Sequence, residues 1–243
     1  MPLQPTIAQH LTTEQLRQAV LSPAPKTAVF DFDGTLWPGD AGSGFMHWTI
    51  NTGLLSPERA KHLLDRHSSY HRGEVDEIGI CGEMTQIYSG LTESALRESA
   101  AEYFRQHVQP HFFPTMLQLL RDLQAQGADV WAVSSTNNWM IEEGVRELGI
   151  RPDRVLAAAV EAQEGVITDR LIHVPSDEGK AEALRRFGIP HPDVVFGNSI
   201  HDLAMLQMAR LPVPVNPSEE LAAYSMEAGW PVYYPIPNDS PAR

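Results

Sequence analysis

At 243 residues, of which 42% are apolar and 20% charged, the chain has the composition of a globular protein that can bury a sizeable core. A formal net charge of −13 disfavours nucleic acid and anionic membrane surfaces as partners, because both require clustered Lys and Arg. No stretch approaches the roughly 18 apolar residues of a membrane span, the N-terminus lacks a secretory-signal pattern, and the single cysteine excludes an intrachain disulfide framework, so we expect a cytoplasmic protein.

The first half of the chain is predicted to contain a leader, one strand and a long helical segment. An amphipathic helix is expected over residues 12–21, followed by a proline-containing linker and a buried strand over residues 27–32. Over residues 40–113 the hydrophobic period is helical, most clearly at 57–67 and 92–106, with no convincing buried strand. This segment has the pattern of an inserted helical module.

From residue 114 onward, helices and strands alternate. Helices are predicted over residues 114–126, 139–148, 177–187 and 200–209, strands over 128–133, 155–160 and 194–196, a hairpin over 163–174, and further sheet at the apolar runs around Val213 and Val232. Such alternation indicates an α/β fold with a doubly wound, mostly parallel, Rossmann-like sheet. The expected domains are a leader and linker (1–25), the α/β core (26–39 and 114–243) and a small helical cap (40–113).

Two carboxylates follow the first strand, in the stretch Asp31-Phe32-Asp33-Gly34-Thr35. In an extended chain Asp31 and Asp33 point to the same side, so both face one edge of the sheet. Paired carboxylates suit a bound cation or acid–base chemistry, but a short acidic turn is also typical of a solvated or calcium-binding loop. The ends of parallel strands are where ligands bind in open α/β sheets, which favours a functional role.

The stretch from Asp31 to Leu36 resembles the first motif of the haloacid dehalogenase superfamily, and three further stretches resemble its other motifs in the family's order. They are Ser134 at the end of the second strand, Lys180 in Gly179-Lys180-Ala181, and the run Gly197-Asn198-Ser199-Ile200-His201-Asp202. Lys180 is one of only three lysines in the chain. Asn198 stands where the family pattern has an aspartate. The resemblance is strongest to the branch that includes phosphoserine phosphatases, which carries a helical cap.

This resemblance implies a magnesium-dependent phosphatase that acts on a small phosphorylated metabolite through an aspartyl phosphate. Asp31 would be the nucleophile, Asp33 the general acid and base, and Lys180 and Ser134 would hold the phosphoryl group. The implied substrate-binding residues are Gly34, Thr35, Ser135 and Asp40, and the implied residues of the Mg²⁺ site are Asp31, Asp33, Asn198 and Asp202. Because an amide contributes no negative charge, Asn198 predicts weaker magnesium binding.

Three alternative functions remain open at this point. A phosphomutase or phosphotransferase would carry the same motifs. A dehalogenase would share the Asp31 nucleophile but typically lacks the second aspartate, which Asp33 supplies here. A catalytically weak protein that binds a phosphorylated ligand is suggested by Asn198. The motifs do not define an oligomeric state.

Charged residues in the segment predicted to form the cap indicate which class of substrate the protein binds. In the phosphoserine phosphatase branch an acidic residue shortly after the first motif meets the substrate ammonium, and Asp40 stands at that position, although Asp40 is equally typical of a helix cap or turn. No Lys or Arg occurs over residues 73–96, which disfavours the carboxylate of phosphoserine. The acidic residues of this segment, Glu74, Asp76, Glu77 and Glu83, favour a cationic alcohol phosphate or are simply exposed helix charges.

Aromatic and histidine residues give two weaker signals. Trp37, Trp48 and Tyr88 could form an aromatic cage for an ammonium group, or they could be ordinary core residues. The histidines lack the paired spacing of a zinc site.

Overall fold

The computed structural model describes residues 9–235, and within them it contains ten α-helices and six β-strands. The helices are α1 (Thr13–Leu21), α2 (Ala41–Asn51), α3 (Pro57–His71), α4 (Glu77–Gln86), α5 (Glu93–Tyr103), α6 (Pro114–Ala125), α7 (Asn138–Leu148), α8 (Glu178–Arg186), α9 (Leu203–Met208) and α10 (Glu219–Ala228). The strands are β1 (Thr27–Phe30), β2 (Asp129–Asn137), β3 (Val155–Gln163), β4 (Val166–His173), β5 (Val194–Gly197) and β6 (Leu211–Pro214).

The strands are ordered β4-β3-β2-β1-β5-β6 in one sheet. β1 pairs in parallel with both β2 and β5, and β5 pairs in parallel with β6, whereas β3 and β4 are antiparallel. This mostly parallel sheet, connected by helices, confirms the predicted α/β class. Because the chain order reverses on either side of β1, the carboxyl end of β1 is the position where ligands bind in such sheets.

The predicted hairpin over residues 163–174 is wrong in its bounds. Residues 166–173 form a single strand, β4, and its antiparallel partner is the preceding strand β3, which begins at Val155. The turn between them is Glu164-Gly165, in which both residues have positive φ, 51° and 78°, as in the tight turns that fit the twist of a hairpin. The last residues of β3 are largely exposed, so hydrophobicity could not reveal that the strand continues through Gln163. The predicted sheet segment at Val232 is a single bridge to His10.

Side-chain caps set the starts of helices that periodicity located only loosely. Asp40, Ser56 and Asp76 each accept a hydrogen bond from a main-chain N–H in the first turn of α2, α3 and α4. The helix predicted over residues 92–106 ends as an α-helix at Tyr103 and continues as a π-helix over Phe104–Val108. The predicted leader helix is confirmed as α1.

The described chain divides into two compact units. Unit 1 contains the described residues up to Gly39, His111–Ala132 and the described residues from Asp177 onward; unit 2 contains Asp40–Pro110 and Val133–Ser176. The core of unit 1 is built on stacked rings of Phe30 and Phe196, whose centroids are 4.4 Å apart on the neighbouring strands β1 and β5. The core of unit 2 is aromatic as well, with Phe45 packed between Tyr88 and Tyr103.

Among residues 9–235, no helix combines the length and the hydropathy that crossing a lipid bilayer requires.

Candidate active site

Asp31 directly follows β1 and is buried, with 5% of its surface exposed. Its main-chain N–H donates to the Phe196 carbonyl at 2.9 Å, which extends the pairing of β1 with β5 by one residue. Its carboxylate accepts a hydrogen bond on each oxygen, from the Thr35 hydroxyl at 3.1 Å and from the Lys180 ammonium at 2.8 Å. The carboxylate is therefore oriented by a hydroxyl and a charged donor.

A buried charge cluster joins the first, third and fourth motifs in unit 1. Lys180, on α8, is 2% exposed and donates to both Asp31 and Asp202, and Asp202 is fully buried. Burial and the charge of Asp202 raise the pKa of Asp31 to about 7, although Lys180 opposes the shift. Burial by itself would lower the pKa of Lys180, but the charges and hydrogen bonds of Asp202 and Asp31 outweigh burial and raise that pKa. Two carboxylates against one ammonium leave an excess of negative charge.

Asp202 also fixes the loop that follows β5. Its second oxygen accepts hydrogen bonds from the main-chain N–H groups of Asn198 at 2.8 Å and Ser199 at 2.9 Å. A Cβ at Gly197 would lie 2.7 Å from the Asp202 Cβ, so only glycine fits at that position. The position of Asn198 is thereby set by a buried side chain four residues later.

The turn of the first motif packs closely against Asn198. Gly34 has a φ of 72°, and a Cβ added to it would lie 1.9 Å from the Asn198 Nδ2 and 2.6 Å from its Cγ. A side chain at position 34 would therefore displace the Asn198 amide as well as strain the backbone. The structure thus brings Asp31, Gly34, Thr35, Lys180 and the fourth motif together, as the sequence predicted.

Asp33 has a partner that the sequence did not reveal. The indole Nε1–H of Trp37 donates to the Asp33 Oδ1 at 2.7 Å, and Trp37 is 2% exposed. Trp37 packs edge-on against Phe32 and Phe112, at centroid distances of 5.2 and 5.3 Å. The four-residue spacing was a usable signal, because it matches the reach of a side chain across a tight turn.

The second motif lies in unit 2. Ser134 is 2% exposed, and its hydroxyl oxygen accepts a hydrogen bond from the Thr136 N–H at 3.1 Å. The predicted strand end at this serine is wrong, because β2 continues to Asn137. The Ser135 hydroxyl donates to the Glu77 Oε1 at 3.2 Å, a contact between residues 58 positions apart that sequence patterns cannot show.

Glu77 belongs to a set of polar groups within unit 2. The Tyr70 hydroxyl donates to the Glu77 Oε2 at 2.5 Å, and the Cys81 thiol lies 3.5 Å from Oε1. Burial raises the pKa values of both Tyr70 and Cys81, and the charges of Glu77 and Asp40 raise them further. Both carboxylates therefore act on the same two partly buried groups.

Asp40 is the N-cap of α2, the more ordinary of its two predicted roles. Its carboxylate accepts hydrogen bonds from the Ser43 N–H at 2.8 Å and the Ser43 hydroxyl at 2.6 Å. The same hydroxyl lies 3.1 Å from the His67 Nε2. A capping role does not prevent a carboxylate from meeting a ligand, since each oxygen can accept more than one hydrogen bond.

The contacts of Trp37, Trp48 and Tyr88 favour ordinary core packing over an aromatic cage for an ammonium group. Tyr88 is 1% exposed and its hydroxyl lies 3.3 Å from the Thr49 hydroxyl. Trp48 stacks on Phe45 within unit 2, and the Trp37 indole is engaged by Asp33 within unit 1.

The residues of the first and fourth motifs fit a hard divalent cation. Asp31 offers a carboxylate, Asp33 a main-chain carbonyl and Asn198 an amide, and oxygen donors of this kind are those that Mg²⁺ prefers. This set contains few acidic side chains. A main-chain carbonyl and an amide are not acidic side chains, which agrees with the finding that, across residues 9–235, no group of three or more Asp, Glu, His or Cys side chains is placed to hold a metal ion. The excess negative charge around Asp31 also favours a cation.

The family model of haloacid dehalogenase-like hydrolases matches residues 28–207, a span that includes all four motifs. The chain is 26% identical over 216 residues to a histidinol-phosphatase of Neisseria meningitidis serogroup C, and the match covers 84% of this chain and 96% of that protein.

Two solved structures share the fold. A protein of unknown function from Bordetella pertussis Tohama I has a TM-score of 0.75 at 22% identity, with 85% of this chain and 97% of that chain covered. A structure of phosphoserine phosphatase, described as a phospho-aspartyl intermediate analogue, has a TM-score of 0.58 at 15% identity, with 86% and 93% covered.

Proposed function

Because the chain belongs to the haloacid dehalogenase-like hydrolases, we propose that it is a phosphatase that cleaves a small phosphomonoester through an aspartyl phosphate on Asp31. The observation that carries this proposal is the buried Asp31 carboxylate, held by Lys180 at 2.8 Å and by Thr35 at 3.1 Å directly after β1. A carboxylate oriented in this way is suited to in-line attack on phosphorus. We propose residues 40–113 as the cap domain.

In the first half of the reaction, an Asp31 oxygen attacks phosphorus and the bond from phosphorus to the alcohol oxygen breaks. Asp33 donates its proton to the departing oxygen, so that a neutral alcohol leaves. Lys180 offsets the negative charge that accumulates when the phosphate approaches Asp31. The phosphoryl group is then covalently attached to the Asp31 side chain.

In the second half, Asp33 removes a proton from a water molecule and the water oxygen attacks phosphorus. The bond between phosphorus and the Asp31 oxygen breaks, which releases inorganic phosphate and restores the Asp31 carboxylate. We assign Ser134, Ser135, Thr35 and the main chain at Gly34 to binding of the phosphoryl oxygens. Splitting hydrolysis in this way needs a single acid–base residue that changes role between the two steps.

We propose that Asp31, the main-chain carbonyl of Asp33 and Asn198 hold a Mg²⁺ ion. When bound, the ion would neutralise charge on the phosphoryl oxygens and on Asp31. Both Asp202 oxygens already accept hydrogen bonds, from Lys180 and from the Asn198 and Ser199 N–H groups. Asp202 is therefore better suited to support the site than to coordinate the ion.

The substitution Asn198→Asp is expected to tighten magnesium binding roughly tenfold, because it adds a negative charge to the ligand set. Isothermal titration calorimetry with Mg²⁺ alone measures this without reference to activity. The added charge also increases the excess of negative charge around Asp31. Without Mg²⁺, therefore, the Asn198→Asp protein should unfold at a lower temperature than the wild type, and addition of Mg²⁺ should restore the unfolding temperature. Asn51→Asp, at an exposed position, is the matched control. Unchanged or weaker Mg²⁺ binding by Asn198→Asp would remove Asn198 from the proposed site.

We propose that the alcohol part of the substrate carries a positive charge. Unit 2 supplies the carboxylates of Asp40 and Glu77, and Glu77 accepts hydrogen bonds from the Tyr70 and Ser135 hydroxyls and lies 3.5 Å from the Cys81 thiol. Ser135 connects this carboxylate to the residue next to Ser134 of the second motif. Histidinol phosphate, an amino-alcohol phosphate, is our leading candidate because a relative of nearly equal length is a histidinol-phosphatase.

Glu77→Gln is expected to raise the KM for histidinol phosphate roughly tenfold or more, since a hydrogen bond to a charged group is worth about 1.5–3 kcal/mol. The kcat/KM for an ester whose alcohol part is uncharged, such as 4-nitrophenyl phosphate, should stay within about twofold of the wild-type value, because this alcohol has no positive charge for Glu77 to bind. Glu83→Gln is the control on the same helix, where Glu83 already pairs with Arg66 at 2.6 Å. Equal losses on both esters would argue against recognition of a cation.

The proposed function is tested by phosphate release from a panel of phosphomonoesters in the presence of Mg²⁺. The panel contains histidinol phosphate, phosphoethanolamine, phosphocholine, phosphoserine and sugar phosphates. We expect the cationic alcohol phosphates to be hydrolysed fastest. Release from none of the esters would overturn the phosphatase proposal and leave a phosphomutase or a phosphoryl-ligand binding protein as the better account.

A further inference from the structure

We infer that Trp37 is a positioning residue that orients Asp33 for proton transfer to the leaving alcohol, an inference that rests on the proposed phosphatase reaction. The indole Nε1–H donates to the Asp33 Oδ1 at 2.7 Å. The main chains of the two residues also form a bridge.

The indole is held firmly enough to define the orientation of the carboxylate. Trp37 is 2% exposed, and it contacts Phe32 and Phe112 edge-on, at interplanar angles of 72° and 71°. Edge-to-face packing of this kind is the preferred arrangement of aromatic pairs. The Phe113 N–H donates to the Leu36 carbonyl at 2.8 Å, which anchors the residue just before the tryptophan. Rotation of the indole would require several of these contacts to break together.

The consequence for catalysis depends on the leaving group. General acid catalysis contributes about 10²- to 10⁴-fold when the leaving oxygen needs a proton. An alkoxide is a poor leaving group and needs that proton, whereas 4-nitrophenolate departs as a stable anion. A carboxylic acid that has lost its orientation therefore slows the departure of the alcohol from alkyl esters and leaves that step largely unaffected for the aryl ester. The later hydrolysis of the aspartyl phosphate, in which Asp33 is the base, is the same for both esters.

The test is the variant Trp37→Phe, which removes the N–H and keeps an aromatic ring between Phe32 and Phe112. We expect its kcat/KM, which reports the steps up to the departure of the alcohol, to fall roughly tenfold to hundredfold on histidinol phosphate and by less than about twofold on 4-nitrophenyl phosphate. A purely structural role for Trp37 would lower both rates by the same factor. Equal losses would overturn the inference and leave the proposed function intact, whereas a wild-type protein that hydrolyses neither of these esters nor any ester of the panel would overturn the proposed function itself.

Trp131→Phe is the matched control. Trp131 is also 2% exposed in unit 1, and its indole N–H donates to the Asp129 carboxylate at 3.0 Å. The same chemical change there should leave the ratio of the two rates unchanged. A shift in the ratio as large as that of Trp37→Phe would mean that lost packing, rather than lost orientation of Asp33, causes the effect.

A second measurement does not depend on the folding of Trp37→Phe. The chain has five tryptophans, so the indole N–H groups of the wild-type protein give few resonances in a ¹⁵N-correlated NMR spectrum. Asp33→Asn keeps the shape of the side chain and removes its charge, and it should shift one indole N–H resonance upfield. An unchanged set of indole resonances would overturn the inference.

Discussion

Replacing Asp31 with asparagine is expected to lower the rate of phosphate release by roughly 10⁴-fold or more, the loss typical of removing a catalytic nucleophile. The amide keeps the size of the carboxylate, and its single oxygen can still accept one of the two hydrogen bonds that Lys180 and Thr35 donate to the carboxylate. It cannot attack phosphorus to form an acyl phosphate. The fall should therefore be in kcat, measured by phosphate release in Mg²⁺ at saturating substrate.

Asp65→Asn is the control for this result. Asp65 has a largely exposed side chain and pairs with Lys61 at 2.6 Å, so the same change of charge should leave the rate unchanged. Circular dichroism should show that the Asp31→Asn protein is folded. Folded Asp31→Asn protein with more than about one hundredth of the wild-type rate would contradict a role as nucleophile.

Replacing Lys180 with methionine is expected to abolish activity and to lower the free energy of unfolding by about 3–5 kcal/mol, the cost of breaking a buried ion pair by removing one partner. The Lys180 side chain is 3% exposed between Asp31 and Asp202. Without the ammonium, two buried carboxylates would face each other with no opposite charge between them. Urea denaturation measures the loss, and phosphate release measures the accompanying fall in activity.

Lys61→Met provides the contrast. The Lys61 side chain is 78% exposed in a pair four residues apart along α3. Such exposed pairs contribute little to stability, so Lys61→Met should leave the free energy of unfolding nearly unchanged. If Lys180→Met unfolds at the same urea concentration as the wild type, with the same slope, the buried cluster is not a coupled structural unit and Lys180 does not stabilise the fold.

Much of the site was predictable because its residues occur at fixed places on strands. Asp31 follows a buried apolar strand, and the fourth motif begins at the end of β5, the neighbour of β1 in the sheet. Strand alternation and the rule that ligands bind at carboxyl ends were enough to bring these residues together. Burial and hydrogen bonding of Lys180 then agree with the motif pattern.

The contacts that the sequence could not reveal depend on residues whose partners lie far along the chain or across a turn. Ser135 and Glu77 meet only because α4 and the last residues of β2 (133–137) fold into one unit. Trp37 is predicted only as a possible cage residue, and its four-residue spacing from Asp33 is the linear feature that favours the hydrogen bond to Asp33 instead. Hydrophobicity also ended β3 too early, because its final residues are largely exposed.

Other properties stay predictions because no contact within the described residues depends on them. These are the boundaries of the core and cap domains, a cytoplasmic location and the identity of the substrate.

The most direct test of the proposed mechanism is to trap the covalent intermediate. Enzyme turning over histidinol phosphate in Mg²⁺ is quenched in acid and treated with borohydride, which reduces an acyl phosphate to an alcohol. Peptide mass spectrometry then identifies the residue at position 31. We predict homoserine in place of aspartate at that position, and none in the Asp31→Asn protein or without substrate. An unmodified Asp31 in enzyme that is releasing phosphate, with reduction at another residue or at none, would contradict nucleophilic catalysis by Asp31.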